Sequence, residues 1–151
     1  MLNEIILASK SKVRKEILDK NNISSQVEPS NVDEDVVKES LLKEQASPSI
    51  ISKNLAELKA NKVSLKFNDQ IVLGADSVID LDGELISKPK NREEAFGILK
   101  KYLNKITDED LYAYNVYQIE GEGRNLFENI EGDENTIMGL PIKQIKQYLD
   151  L

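Results

Sequence analysis

Asp76 is the first candidate for chemistry in this chain. Residues 71–73 form a continuous apolar run, which is the pattern of a strand covered on both faces. Gly74 and Ala75 then remove side-chain bulk just before Asp76. Because ligands of open α/β sheets bind beyond the carboxyl ends of strands, an acid at this place is a candidate catalytic group. On these residues alone, a structural cap remains an alternative.

Lys88 is a candidate cation close in sequence to that acid. Asp82 and Gly83 favour a two-residue turn, and they separate two predicted strands at residues 77–81 and 84–86. The hairpin leads directly to Lys88, and the proline that follows restricts this lysine to an extended backbone. The sequence therefore predicts a hairpin that brings a cation towards the acid.

A loop near the N-terminus could bind an anion. Residues 4–8 indicate a buried strand, and Ser9 or Ser11 can cap the helix that follows. Free N–H groups and the dipole at a helix N-terminus favour phosphate, and the guanidinium of Arg14 can hold phosphate oxygens through two donors. Exposed, solvated charges on a first helical turn are an equal alternative for the cations here, which are Lys10, Lys12, Arg14 and Lys15.

Glu34 and Lys59 are candidates with simpler alternatives. Glu34 lies in the acidic stretch 33–35, which most simply caps a helix, although its carboxylates could also bind Mg²⁺ or Mn²⁺. Lys59 lies near the end of a predicted helix over residues 48–62, where a cation can offset the helix dipole.

Composition limits the chemistry available. The chain has 151 residues, 40% of them hydrophobic, and we expect one domain over residues 1–151. Without cysteine or histidine it has no disulfide, thiol nucleophile or imidazole base, so a carboxylate is the natural base. The formal charge of −7 opposes nucleic-acid binding. No apolar stretch is long enough for a membrane span, and we expect a cytoplasmic protein.

Strands alternate with helices along the chain, which predicts an α/β fold: a mixed twisted sheet flanked by helices. A short helix is expected at residues 107–114. The helical patterns predict these buried faces: Val13, Ile17 and Leu18; Ile50, Ile51, Leu55 and Leu58; Ala95, Phe96, Ile98 and Leu99; and Ile142, Ile145 and Leu149.

Five stretches resemble, in the correct order, motifs of the Maf family of nucleoside triphosphate pyrophosphatases. They are spread over most of the chain, so the resemblance is more specific than any one motif. The stretches are IILASKSKVRKEIL, PSNVDE, LAELKA, GADSVIDLDGELISKPKNREEA and YQIEGEGRNLFENIEGDENTIMGLPI.

The resemblance implies a Maf/ITPase-like fold that hydrolyses a nucleoside triphosphate to the monophosphate and pyrophosphate, with Mg²⁺ or Mn²⁺. It also implies that Asp76 accepts a proton from the attacking water and that Asp76 and Glu34 hold the metal. Family members are often dimers, so a homodimer is expected. The positions that match substrate-binding residues of the family are Ser9, Arg14, Lys59 and Lys88.

Three departures from the family pattern bear on activity. Val13 replaces the first of two arginines and Lys12 replaces a proline, while Glu120 replaces a frequent glutamine. A segment of several strands is missing after about residue 101. An inactive or regulatory nucleotide-binding remnant is therefore the alternative to an enzyme, and the preferred base is not predicted.

Overall fold

The computed structural model describes residues 4–81, 83–86, 89–105 and 133–151. The chain divides into two compact units, one of residues 1–85 with 132–151 and one of residues 86–131. The strands are β1 (Ile5–Leu7), β2 (Ser25–Val27), β3 (Val72–Leu73), β4 (Ile79–Leu81) and β5 (Glu84–Ile86), and the helices are α1 (Lys12–Lys20), α2 (Glu34–Lys43), α3 (Pro48–Ser64), α4 (Arg92–Lys105), α5 (Glu134–Met138) and α6 (Ile142–Tyr148).

A three-stranded parallel sheet organises the first unit. Its order is β2-β1-β3, with Ile5 opposite Ser25 and Leu7 opposite Leu73. The central strand β1 is buried along its whole length, which explains its unbroken apolar sequence. All three carboxyl ends lie at one edge, so the loops after β1 and β3 meet there. The predicted α/β class, a sheet flanked by helices, is confirmed.

The two faces of this sheet are covered by different parts of the chain. Leu7 packs in one cluster with Leu18 of α1 and with Leu140 and Ile145 from the C-terminal segment. On the other face, Ile6 and Ala8 pack with Val63 of α3. The predicted face of Ile142, Ile145 and Leu149 is confirmed, because all three are buried.

Helix α1 departs from the predicted apolar face. Ile17 and Leu18 are buried as expected, but Val13 is 38% exposed and the neighbouring Arg14 is buried in its place. The prediction for Val13 was wrong because the side that faces the sheet edge offers oxygen acceptors that only a polar side chain can use.

Helix α3 buries a narrower stripe than predicted. Ile51, Leu55, Lys59 and Val63 are buried at a spacing of four residues, whereas Ile50 and Leu58 are exposed. The two exposed positions were wrongly assigned to the core, because the buried row includes a lysine that an apolar pattern cannot find.

Helix α4 belongs to the second unit and is capped by the residue that precedes it. The side chain of Asn91 accepts a hydrogen bond from the Glu94 amide at 2.9 Å, so it caps the first turn. The predicted burial of Phe96 and Leu99 was wrong, since Phe96 is 66% exposed and Leu99 is also exposed. An amphipathic pattern needs a covering surface, and within the described residues nothing buries these two. The predicted helix at 107–114 lies outside the described residues.

The predicted hairpin is present as the two-stranded sheet of β4 and β5. Gly83 has a φ of 83°, a conformation that favours glycine, and its amide donates to Asp80 Oδ1 at 2.7 Å. Across the part of the chain that the structure describes, no helix is long and apolar enough to cross a bilayer.

Candidate functional site

Polar side chains from five segments meet at the carboxyl edge of the parallel sheet. Ser9 follows β1, and Asp76 follows β3 after Gly74 and Ala75. Helix α1 supplies Arg14, α2 begins at Glu34, and α3 supplies Lys59. This is the location expected for a ligand site in an open parallel sheet.

An ionic cluster links Glu34, Lys59 and Asp76. The Lys59 ammonium lies 2.6 Å from Asp76 Oδ1 and 2.8 Å from Glu34 Oε1. The side chains of Lys59 and Asp76 are only 7% and 8% exposed, whereas that of Glu34 is 40% exposed. The Lys59–Asp76 pair is therefore buried, and Glu34 joins it from the solvent side.

Gly74 allows α3 to approach the end of β3. A Cβ atom at Gly74 would lie 2.1 Å from the Ala56 carbonyl oxygen and 2.8 Å from the Ala60 Cβ. Any side chain would therefore push α3 away from the strand. Since Lys59 lies between these two alanines in sequence, the glycine is what brings its ammonium within hydrogen-bonding distance of Asp76.

The second oxygen of Asp76 is buried without a partner. Lys59 holds Oδ1, but Oδ2 accepts no hydrogen bond from any of the described residues. A buried carboxylate oxygen normally has a partner, and leaving one unsatisfied has a free-energy cost. Oδ2 is therefore the atom of the cluster that is ready to accept a proton, a hydrogen bond or a cation.

Arg14 is held by four uncharged oxygens. Its Nε donates to the Gly139 carbonyl at 3.2 Å, and its Nη1 donates to Ser9 Oγ at 3.2 Å and to the Ala75 carbonyl at 2.9 Å. Its Nη2 donates to Ser77 Oγ at 2.9 Å. Four of the five guanidinium N–H groups are therefore used within the protein.

The pKa values of Arg14 and Glu34 report these surroundings. Burial lowers the pKa of Arg14, although the negative charges of Asp76 and Glu34 oppose that change. For Glu34, burial would raise the pKa, but the hydrogen bond and charge of Lys59, together with Lys38, outweigh burial and lower it. The lowered pKa keeps Glu34 ionised near neutral pH, and a guanidinium such as that of Arg14 keeps its proton in proteins.

Ser9 has one hydrogen-bonding group left for a ligand. Its Oγ accepts from the Ser11 amide at 3.2 Å and from Arg14 Nη1 at 3.2 Å. These bonds use both lone pairs of the hydroxyl, so its hydrogen is the available group. Ser11 is the N-cap of α1 and accepts from the Arg14 amide, as predicted for one of the two serines.

Two lysines, one in the last turn of α3 and one just after this helix, hold the loop that leads to Glu34. Lys62 donates to the Asn31 carbonyl at 2.7 Å, and Lys66 pairs with Glu28 at 2.8 Å. Asp33 is the N-cap of α2, where its side chain accepts from the Val36 amide. The capping interpretation of the acidic stretch thus holds for Asp33, while the next residue, Glu34, joins the ionic cluster.

Most of the predicted site residues lie together. Ser9, Arg14, Glu34, Lys59 and Asp76 share the sheet edge, as described above, whereas Lys88 lies outside the described residues.

Sequence reasoning missed two partners of Arg14. Ser77 had a weak signal, since it follows the candidate acid directly. Gly139 belongs to none of the candidate site positions that the sequence indicated. Its carbonyl contact with Arg14 joins residues 125 positions apart, and no local pattern encodes such a contact.

Two carboxylates are the oxygen donors that could hold a divalent cation here. Within the described ranges, no group of three or more acidic side chains is arranged for a metal. Mg²⁺ is, however, usually bound by one or two carboxylates together with substrate phosphates and water. The carboxylates of Asp76 and Glu34, which Lys59 bridges, fit that smaller donor set.

Comparisons with known proteins agree on one family. The family model described as Maf-like protein matches residues 4–113. A nucleoside triphosphate pyrophosphatase of Pelagibacter ubique is 58% identical, with 100% of this chain and 99% of the relative covered. A nucleoside triphosphate pyrophosphatase of a Ruegeria species is 32% identical, covering 100% and 97%. A 7-methyl-GTP pyrophosphatase of Bartonella quintana is 30% identical, covering 94% and 92%.

The same comparisons bear on the missing segment. The alignment with the Pelagibacter protein runs over 193 positions and includes the whole of this 151-residue chain. At least 42 aligned positions therefore have no residue here. The predicted deletion agrees with this difference in length.

Proposed function

The chain belongs to the Maf-like protein family, and we propose that it hydrolyses a nucleoside triphosphate to the monophosphate and pyrophosphate, with Asp76 as general base. The activity follows from the family and from the names of the similar proteins.

The carboxylate of Asp76 is arranged to accept a proton. Lys59 fixes Oδ1, so the carboxylate has one orientation, and Oδ2 is buried without a partner. A general base must lie within hydrogen-bonding reach of the proton it removes, and Oδ2 can accept one from a water. That water would attack the α-phosphorus while pyrophosphate leaves. The unpartnered Oδ2 is the single observation that carries this assignment.

Positive charge at the sheet edge would bind the triphosphate. Lys59 and Arg14 are buried cations close to Asp76, and the hydroxyl hydrogen of Ser9 can donate to a phosphate oxygen. Charge that is already in place at a site stabilises charge that develops in the transition state. We assign Lys88 to the same role from the family resemblance alone.

Glu34 and Asp76 would hold a divalent cation, Mg²⁺ or Mn²⁺. When bound, the ion would neutralise phosphate charge. Lys59 bridges the same two carboxylates, so it keeps them together and limits their mutual repulsion before a ligand binds.

The deciding experiment measures pyrophosphate release from a panel of nucleoside triphosphates with Mg²⁺ or Mn²⁺. Asp76→Asn should lower kcat by roughly 10²–10⁴-fold, because the base is lost. Folding should be nearly unchanged, since the Asn oxygen can still accept from Lys59. Asp69→Asn is the matched control: Asp69 is exposed, and its positive φ is one that asparagine tolerates.

Two outcomes would change this proposal. Full turnover in Asp76→Asn would remove Asp76 from the role of base. Nucleotide binding without pyrophosphate release by the wild-type chain would favour the inactive or regulatory remnant, a candidate that the 42-position difference in length keeps open.

Assembly and location are further parts of the proposal. Family resemblance supports a homodimer, which sedimentation analysis tests. A cytoplasmic location is tested by cell fractionation. The net charge of −7 supports binding of the nucleotide through local cations rather than binding of nucleic acid.

A further inference from the structure

We propose that Arg14 is a positioning residue that fixes the turn carrying Asp76, with Ser77 and Gly139 as its partners. This inference rests on the proposed function, because it concerns how the general base is aimed. It assigns the guanidinium N–H groups of Arg14 to the protein, and it gives Ser77 a role in turnover.

Arg14 makes hydrogen bonds to the residues on either side of Asp76. Arg14 donates to the carbonyl of Ala75 at 2.9 Å and to the hydroxyl of Ser77 at 2.9 Å. The residues before and after the base are therefore held by one rigid, planar group. Two such contacts restrict both the height of the turn and its rotation, so they determine where Oδ2 lies.

The other two contacts of Arg14 are made with residues in well-packed parts of the unit. Ser9 belongs to the loop after β1, and Gly139 belongs to the C-terminal segment. Leu140, next to Gly139, is fully buried in the core, which makes that anchor firm. Arg14 thus connects the turn that carries Asp76 to two well-packed parts of the unit.

Gly139 is suited to this contact. Its φ is 122°, in the region that side-chain-bearing residues rarely adopt, and an added Cβ would lie 3.2 Å from both Arg14 Nε and Ser77 Oγ. The segment therefore approaches both partners closely without a side chain between them.

The hydrogen-bond donors of Arg14 are used for positioning and not for direct binding of phosphate. All four hydrogen-bond acceptors of Arg14 are uncharged, so its charge still acts on a nearby phosphate through space. Only one N–H remains for a ligand, which excludes the two-donor grip on phosphate while these contacts persist. The hydrogen bonds aim the base, and the charge alone acts on the substrate.

The test uses Ser77→Ala, which removes one contact and leaves the charge. If Arg14 positions the base, kcat should fall about 10-fold while KM stays within about twofold of wild type, because only the reacting geometry is disturbed. Arg14→Lys should lower kcat more, by ~100-fold. Ser64→Ala is the matched control: Ser64 is exposed, its hydroxyl donates to Asn61 within α3, and kcat should not change.

A readout that is independent of turnover accompanies the kinetics. Hydrogen exchange of the peptide that contains residues 75–78 should quicken roughly fivefold or more in Ser77→Ala, which corresponds to the loss of about one hydrogen bond. The same peptide should exchange at the wild-type rate in Ser64→Ala. If the wild-type chain releases no pyrophosphate, the proposed function fails, and the exchange result alone then decides whether Arg14 holds the turn.

Two results would overturn the inference. An increase in KM with unchanged kcat in Ser77→Ala would mean that the serine and Arg14 serve substrate binding. Unchanged exchange at residues 75–78 in both Ser77→Ala and Arg14→Lys would show that the turn is held by other contacts.

Discussion

Two buried cations lie at the same edge of the sheet, and their surroundings differ. Lys59 contacts two carboxylates, those of Asp76 and Glu34, whereas Arg14 contacts four uncharged oxygens. Lys59 therefore balances negative charge, and under the proposed function its partners would change when a cation or a phosphate binds. Arg14 joins segments of the chain through uncharged oxygens, and a ligand would give those contacts no reason to separate. We therefore assign Lys59 to the proposed chemistry and Arg14 to the positioning of the site.

The largest difference between the two should come from Lys59→Met. Removing the ammonium leaves the Asp76 carboxylate buried and unpaired, which should lower the free energy of unfolding by about 3–5 kcal/mol. Urea unfolding near neutral pH measures this loss.

Arg14→Met supplies the contrast in the same urea titrations. Its stability loss should be smaller than that of Lys59→Met, because the four oxygens left behind are uncharged. Equal losses in the two variants would break the comparison.

Gly74→Ala should selectively disturb the contacts of Lys59. The new Cβ would meet the Ala56 carbonyl, so α3 must shift, at a cost of about 1–3 kcal/mol. The shift would draw Lys59 away from Asp76, so kcat should fall as well. Thermal unfolding and kinetics check this together, and Gly97→Ala is the control, since a Cβ at Gly97 meets nothing within 4 Å.

Gly139→Ala should disturb the contacts of Arg14, with a smaller loss of stability than Gly74→Ala causes. Alanine at a φ of 122° is strained and the methyl crowds Arg14 and Ser77, which together should cost roughly 1–2 kcal/mol. We expect faster exchange of the 75–78 peptide without loss of the Lys59–Asp76 pair. If Gly139→Ala and Gly74→Ala gave the same result in every assay, the contacts of Lys59 and those of Arg14 would not be independent.

The smallest effect should come from Glu34. Its folded-state pKa lies below the ordinary value of 4.5, so its contribution to stability is present above that pH and is lost as the pH falls through the lowered value. The side chain is partly exposed, so solvent screening should keep the contribution under about 1 kcal/mol. Glu34→Gln should remove this part of the acid dependence, as urea unfolding at a series of pH values would show.

Sequence patterns predicted a sheet flanked by helices and most residues of the candidate site because those features are local. An unbroken apolar run identifies β1, and Ser9 and Asp76 lie just beyond such runs. Hydrophobic periodicity failed where a helix buries a charged side chain. In α1 it selected Val13, although Arg14 is the buried residue, since the value of that burial depends on acceptors distant in sequence.

Close approach between elements could also not be predicted from the sequence. The sequence correctly indicated that Gly74 removes side-chain bulk before the acid. It did not show that a glycine is needed there because the Ala56 carbonyl of α3 lies so close. Such a reason exists only after the elements have packed.

The contact between Arg14 and Gly139 also bears on synthesis of the chain. It spans 125 residues, and translation at 5–20 residues per second separates its two ends by roughly 6–25 s. During that interval β1, β2 and β3 can emerge and pair, but one face of their sheet lacks Leu140 and Ile145 as cover. The nascent chain therefore passes through a stage in which this apolar surface is exposed and the contact between Gly139 and Arg14 has not yet formed.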